Sequence, residues 1–206
     1  TFRGLNKYDG NQYHQYYCVD DSLGLPDNNI THIYRDSHNR LWVATVNGVC
    51  LYQANGNFKR VSINSANKNI EKILEDKEGR IFFFTMTDLY QYDEKNNRAI
   101  TRLSKIVEKN CYNFSCHIDR KDVMWIVTSY SVKGYRTRDL KLIAQSPVQS
   151  YPIASFLLAG HQLYISGYNG LQLFDTDTRN GQHLPAAFQG LQLPTDMVSG
   201  LHPTGK

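Results

Sequence analysis

The sequence lacks any run of about 18 apolar residues, the length a membrane-spanning helix needs. Its densest patches, Ile81-Phe82-Phe83-Phe84 and Phe156-Leu157-Leu158-Ala159, have only the length of a strand. Charge of one sign is also in short supply. Lys and Arg number 23 against 19 Asp and Glu, an evenly spread net +4 that gives no ground for nucleic acid as a partner. Ala-, Leu- and Glu-rich stretches are scarce, whereas 14 Tyr and 9 Phe stand beside 14 Gly, and that balance favours strands over helices. With 41% hydrophobic and 20% charged residues, the 206-residue chain can bury a core and is not a disordered tail. It starts on Thr1 and shows no secretory leader, so a processed or excised piece is expected.

Cysteine is sparse, at four residues. Cys111 and Cys116 are close enough in sequence to pair in an oxidising compartment. Cys50 lies in the apolar run Val49-Cys50-Leu51-Tyr52 and reads as a small buried hydrophobe, and Cys18 follows Tyr16-Tyr17 in a similar setting. Cys111, Cys116 and His117 lack a second Cys/His pair at zinc spacing, so no metal site is expected.

A repeat organises the rest. Asp36 stands six residues before Trp42, and Thr45 follows three later; the frame returns as Asp76, Phe82, Thr85 and as Asp119, Trp125, Thr128. A degraded copy places Leu158, Tyr164 and Gly167 there, and Thr1–Tyr8 aligns with Thr45–Tyr52. Anchors at 1, 45, 85, 128 and 167 are therefore 44, 40, 43 and 39 residues apart. Within one unit, residues 30–34 make a buried strand, Ser37-His38-Asn39 a tight turn, and 40–45 and 48–52 two further strands. The alternating Phe58-Lys59-Arg60-Val61 makes a fourth, outer strand.

Four short antiparallel strands per repeat predict an all-β fold, a β-propeller of four-stranded blades. About four blades are nearly complete here, within a ring expected to have seven. The units run 1–24 (the end of a blade), 25–66, 67–109, 110–150 and 151–192 (blades) and 193–206 (the start of another). The aromatics at 42, 82, 125 and 164 are expected to be buried between neighbouring blades rather than to stack on a ligand. The repeated Asp is expected to bond turn amides and not to act as a catalytic carboxylate. An open arc would leave apolar faces uncovered at its ends and self-associate through them.

The string Leu25-Pro26-Asp27-Asn28-Asn29-Ile30, then Asp36, Leu41-Trp42-Val43-Ala44-Thr45 and Gly48-Val49 resembles the two-component-regulator propeller repeat. Gly4-Leu5-Asn6-Lys7-Tyr8 resembles the end of one such blade, and Leu193-Pro194 the start of another. The resemblance is strong around Trp42, fair around Phe82 and Trp125, and weak around Tyr164. It implies the periplasmic ectodomain of an inner-membrane hybrid sensor histidine kinase. In that family the ligands are oligosaccharides, the parent is a homodimer, and the remaining blades of the ectodomain are the chain's neighbours. This piece would then sense rather than transfer phosphate.

No nucleophile elbow, zinc-protease motif or phosphate-binding loop occurs, and the seven histidines show no ligand-like pairing, so neither catalytic residue, cofactor nor metal is expected. Asp175-Thr176-Asp177 reads as a hairpin between third and fourth strands, like Tyr92-Asp93-Glu94-Lys95 one pattern earlier. In an up-and-down blade, the turns after the second strands share a face with the blade crossovers. The turns contribute Asn47, Asp88, Tyr130, Lys133, Tyr168 and Asn169 to that face, and the crossovers Asn28, Asn29 and Tyr151. Amides and carboxylates bond hydroxyls and Tyr stacks on sugar rings, so a glycan suits this set. Counting from Thr128 to Gly134 also predicts an enlarged loop over Ser129–Lys133. The alternatives are a WD-like protein-interaction propeller, whose Gly-His and Trp-Asp signature is missing, and a propeller lyase or glycosidase.

Overall fold

The computed structural model describes residues 3–19, 23–108, 111, 114–148, 153–167, 170–184, 187–188 and 191–192. Every regular element among them is a β-strand, in two compact units, Thr1–Ile106 and Val107–Lys206. The first unit opens on a hairpin of β1 (Leu5–Tyr8) and β2 (Tyr13–Tyr16). An antiparallel sheet follows, in the order β3 (Ile30–Arg35), β4 (Leu41–Thr45), β5 (Gly48–Tyr52), β6 (Phe58–Arg60). The next sheet holds β7 (Ser62–Ile63), β8 (Lys72–Glu75), β9 (Ile81–Phe84), β10 (Asp88–Asp93) and β11 (Arg98–Ser104). Four of its strands meander in chain order, and β7 joins β11 in parallel at the outer edge.

In the second unit β12 (Phe114–Ile118), β13 (Val123–Thr128), β14 (Ser131–Arg136) and β15 (Lys141–Pro147) form one meander. β16 (Ile153–Ala159), β17 (Gln162–Gly167), β18 (Gly170–Asp175) and β19 (Asn180–Leu184) form another, before a two-stranded pair of β20 (Ala187–Phe188) and β21 (Leu191–Gln192). These are propeller blades, and the strands of the unit around Trp42 fall where the alternation placed them.

Alternation sends successive side chains to opposite sheet faces, so each blade has two apolar faces to bury. In the first unit Trp42, Ala44, Val49 and Leu51 pack on Ile70, Ile73, Ile81 and Phe83 of the next sheet, with the Trp42 and Phe83 rings 5.5 Å apart. In the second unit Trp125, Val127 and Val132 pack on Leu163, Ile165 and Phe174, with Trp125 5.2 Å from Phe174. Each large side chain so buried contributes about 1.5–3 kcal/mol. Trp42, Phe82 and Trp125 are fully buried, as expected, but Tyr164 is only half-buried. It alternates with Leu163 and Ile165, the residues that meet the preceding blade, and so points to the opposite face. Beyond β19 the described residues offer only the short β20–β21 pair, not a four-stranded sheet.

The repeated Asp does more than close a turn. Asp36 Oδ1 accepts the Arg40 amide at 2.8 Å, while Oδ2 accepts Arg40 Nε at 2.6 Å and the Trp42 indole Nε1 at 2.8 Å. Asp119 likewise takes the Val123 amide and, at 2.7 Å, the Trp125 indole. Where Phe82 replaces Trp, no indole is present, and Asp76 keeps the Arg80 amide and Arg80 Nε. His32 is half-buried on β3, and its Nδ1 accepts the Ile73 amide at 3.2 Å. Burial, with the nearby Lys72 charge, pulls its pKa down to about 4, leaving the neutral ring an acceptor role requires.

Gly134 corrects one expectation. It is not a turn glycine but lies within β14, opposite Trp125 in the ladder. A Cβ there would stand 2.7 Å from the Trp125 ring, so the strand needs glycine to admit the indole. Gly134→Ala is therefore expected to cost about 1–3 kcal/mol by overpacking. A lowered unfolding midpoint in denaturant checks this, and an unchanged midpoint contradicts it.

Cys50 is buried against Leu25, Val43 and Phe58, and burial pushes its thiol up to about 12. Cys18 is exposed rather than buried, because β2 ends before it and the chain there runs over the surface. No disulfide joins Cys111 to Cys116.

Candidate functional site

The turns after the second strands are built by the repeat threonine. Thr45 Oγ1 donates to the Gly48 carbonyl at 3.0 Å and accepts the Asn47 amide at 3.2 Å. Thr85 does the same with Asp88 O and the Thr87 and Asp88 amides, and Thr128 with Ser131 O and the Tyr130 and Ser131 amides. Each turn thus presents the residue two places after the threonine: Asn47, Thr87 or Tyr130. Thr87 escaped the sequence reading, although spacing from Thr85 marks its place; Asp88 instead begins β10 and accepts the Thr87 hydroxyl at 2.6 Å.

The third turn has the same length as the others. β13 ends at Thr128 and β14 begins at Ser131, so the enlarged loop over Ser129–Lys133 does not exist. Ser131, not Gly134, is the counterpart of Gly48. Lys133 lies in the strand, and its ammonium meets Glu108 at 2.7 Å; the Ser131 hydroxyl donates to the same carboxylate at 2.7 Å. Burial would raise the Glu108 pKa, but the bonds from Lys133, Ser131 and Thr128 outweigh it and hold it at about 2. Lys133 is thereby engaged within the protein, while Tyr130 is exposed beside it.

In the first unit the crossovers are stitched to the turns. The Val46 amide donates to Asn29 O, and the Ile70 amide to Thr45 O. Asn28 serves the loop itself: its Oδ1 accepts the Cys18 amide at 2.7 Å and its carbonyl the Gly4 amide at 2.8 Å. Asn29 is half-buried, with its amide on Asp27. Asn47 is exposed on the rim of a cavity of about 250 Å³ that Pro26, Arg60, Ser62, Ile63 and Lys68 also line. Arg60 is tied to the carbonyls of Val19, Gly24 and Leu25, which leaves Asn47, Ser62 and Lys68 as the exposed polar groups of the rim. Tyr151, Tyr168 and Asn169 lie outside the described residues. Among the described residues no cluster of His, Cys, Asp or Glu could hold a metal ion.

Residues 24–47 match the family model described as "Two component regulator propeller", and this segment is such a repeat. No curated protein matches the chain. Among solved structures it is similar to the extracellular domain described as that of a hybrid two component system, BT3049, from B. thetaiotaomicron. That likeness has TM-score 0.69 and 19% identity over 96% of this chain and 28% of that one. BT4673 from the same organism, also an extracellular domain, gives 0.51 and 16% over 93% of this chain and 34% of that one. Virginiamycin B lyase from Staphylococcus aureus gives 0.63 and 12% over 87% and 61%. At these identities the likenesses show the fold, and the chain spans about a third of the two extracellular domains.

Proposed function

We propose that the chain is a ligand-sensing propeller segment from the extracytoplasmic, periplasmic part of a hybrid two-component sensor, with an oligosaccharide as ligand. The observation that carries this reading is the two component regulator repeat at 24–47. The likeness to extracellular domains of two component systems supports it, as do the turns that display Asn47 in the first unit and Tyr130 in the second. An amide, an ammonium and an aromatic ring match sugar hydroxyls and a sugar face in kind. Binding would signal by differential affinity for two packings of a dimeric ectodomain in the parent histidine kinase, to control glycan-utilisation genes.

The test is titration calorimetry of the intact parent ectodomain against a panel of oligosaccharides. Saturable binding is expected, weakened about tenfold or more by Asn47→Ala or Lys68→Ala, a loss of about 1.4 kcal/mol or more. An ectodomain that binds no glycan refutes the ligand class. The likeness to virginiamycin B lyase favours a second reading, an elimination catalyst. Product that forms on incubation and survives repurification of the ectodomain would establish that reading instead.

A further inference from the structure

Three arginines among the described residues of the first unit are half-buried, and two of them meet a buried carboxylate. Arg40 lies 2.6 Å from Asp36, and Arg80 lies 2.6 Å from Asp76. Arg60 has no such partner. Its Nε donates to the Gly24 carbonyl at 3.0 Å, and its Nη2 to the carbonyls of Val19 at 3.0 Å and Leu25 at 2.8 Å. These carbonyls take three of its five N–H donors and cancel none of its charge. A guanidinium partly withdrawn from water without a counter-charge is costly, so an anion brought near it is favoured. Its charge also reaches the Cys50 thiol, where it opposes the upward push of burial.

Arg60 lines the cavity of about 250 Å³ whose rim carries Asn47, Ser62 and Lys68. Lys68 is exposed and makes no ion pair among the described residues. No Asp or Glu among the described residues lines this space, so two positive charges share it uncompensated. The second unit differs, since its Lys133 is matched by Glu108 at 2.7 Å. The volume falls just below the ~300–1,000 Å³ of pockets for drug-sized molecules and suits one sugar residue rather than a length of chain.

We propose that this cavity takes an anionic sugar residue, its carboxylate or sulfate drawn to Arg60 and Lys68 and its hydroxyls bonded by Asn47 and Ser62. Charge-assisted hydrogen bonds are roughly twice as strong as neutral ones, so the anion sets the selectivity. The proposal rests on the reading of the chain as an oligosaccharide sensor and narrows its ligands to acidic glycans.

The test is titration calorimetry of the intact parent ectodomain with galacto- and gluco-configured disaccharides, each as neutral sugar, uronate and sulfate ester, and with sodium sulfate as the bare anion. At least one acidic sugar is expected to bind tenfold or more tightly than its neutral counterpart, and the two acidic arms tell carboxylate from sulfate. The preference should narrow in 1 M salt, where the screening length is about 3 Å. Lys68→Glu hands Arg60 a carboxylate and should abolish the preference; Lys68 is exposed, so this variant folds, and circular dichroism checks it. Lys95→Glu makes the same charge change at an exposed residue outside the cavity and should keep the preference. Neutral sugars bound as tightly as acidic ones, or a preference that survives Lys68→Glu, would overturn the proposal and leave the glycan reading standing. If no sugar binds, the glycan reading fails. Sulfate binding that Lys68→Glu removes would then still support the anion site, and its absence would overturn that too.

Discussion

Trp42→Ala should lower the stability of the first unit by about 3–5 kcal/mol, the range for removing a large aromatic from a packed interior. The side chain is fully buried and meets Phe83 at 5.5 Å and Tyr92 at 4.9 Å, so its removal opens a void between two sheets that are each committed to their own ladders. Trp42→Phe separates packing from polarity. The second blade shows that phenylalanine is accepted at this place, since Phe82 is equally buried and Asp76 is satisfied by Arg80 and the Glu78 amide. The Phe variant should therefore lose about 1–2 kcal/mol, from one hydrogen bond and a smaller ring. Urea unfolding of the three proteins measures both numbers. Equal losses for Ala and Phe would mean that the indole bond, not the packing, holds the blades.

Asp36→Ala is expected to cost about 3 kcal/mol, the lower end of the range for deleting one partner of a buried ion pair. The Asp36 carboxylate is wholly buried, but Arg40 keeps 25% of its side chain in water and recovers part of its solvation. Left behind are the Arg40 amide, the Arg40 guanidinium and the Trp42 indole N–H, all of which lose their acceptor. The loss carries a pH signature. Burial pushes the Asp36 pKa up, yet the bonds from Trp42, the Arg40 amide and the Arg40 guanidinium, with the Arg40 charge, outweigh it and hold it below the usual value. A carboxylate depressed in the folded state stabilises fully above its unfolded pKa of about 4. That contribution fades as pH falls through the lower folded value. The stability gap between the protein and Asp36→Asn should thus be constant from pH 8 to about 5 and shrink toward pH 2. A gap independent of pH down to 2 would show that the charge of Asp36 contributes nothing.

Much of the fold was legible because the repeat writes its geometry locally. Asp36, Trp42 and Thr45 serve one hairpin and its turn, and all their mutual bonds span six residues or fewer. The same locality misled at Gly134. A glycine near a turn reads as a turn residue, but this one is required by the Trp125 ring across the ladder, nine positions back. The threonine bonds that set the true turn at Ser131 match those at Gly48 and are the better marker. Had the turn been counted from the threonine alone, Thr87 would have been found as well.

The sequence by itself determined the all-β class, the period, the strands of the Trp42 blade and the residue displayed by the turns at Asn47 and Tyr130. These follow from alternation and turn chemistry, which act over a few neighbouring residues. The tertiary structure alone decided which displayed groups remain available. Lys133 reads as a loop cation but is held by Glu108, 25 positions upstream on the crossover. Asn28 reads as a ligand amide but ties Cys18, and Tyr164 reads as an inter-blade anchor but is only half-buried. Ile33 and Ile73 each stand three residues before the repeat Asp, yet Ile33 is exposed and Ile73 is buried. Pairing and burial depend on what the chain brings close from far along its length, and a periodic pattern, being the same in every copy, carries no record of it.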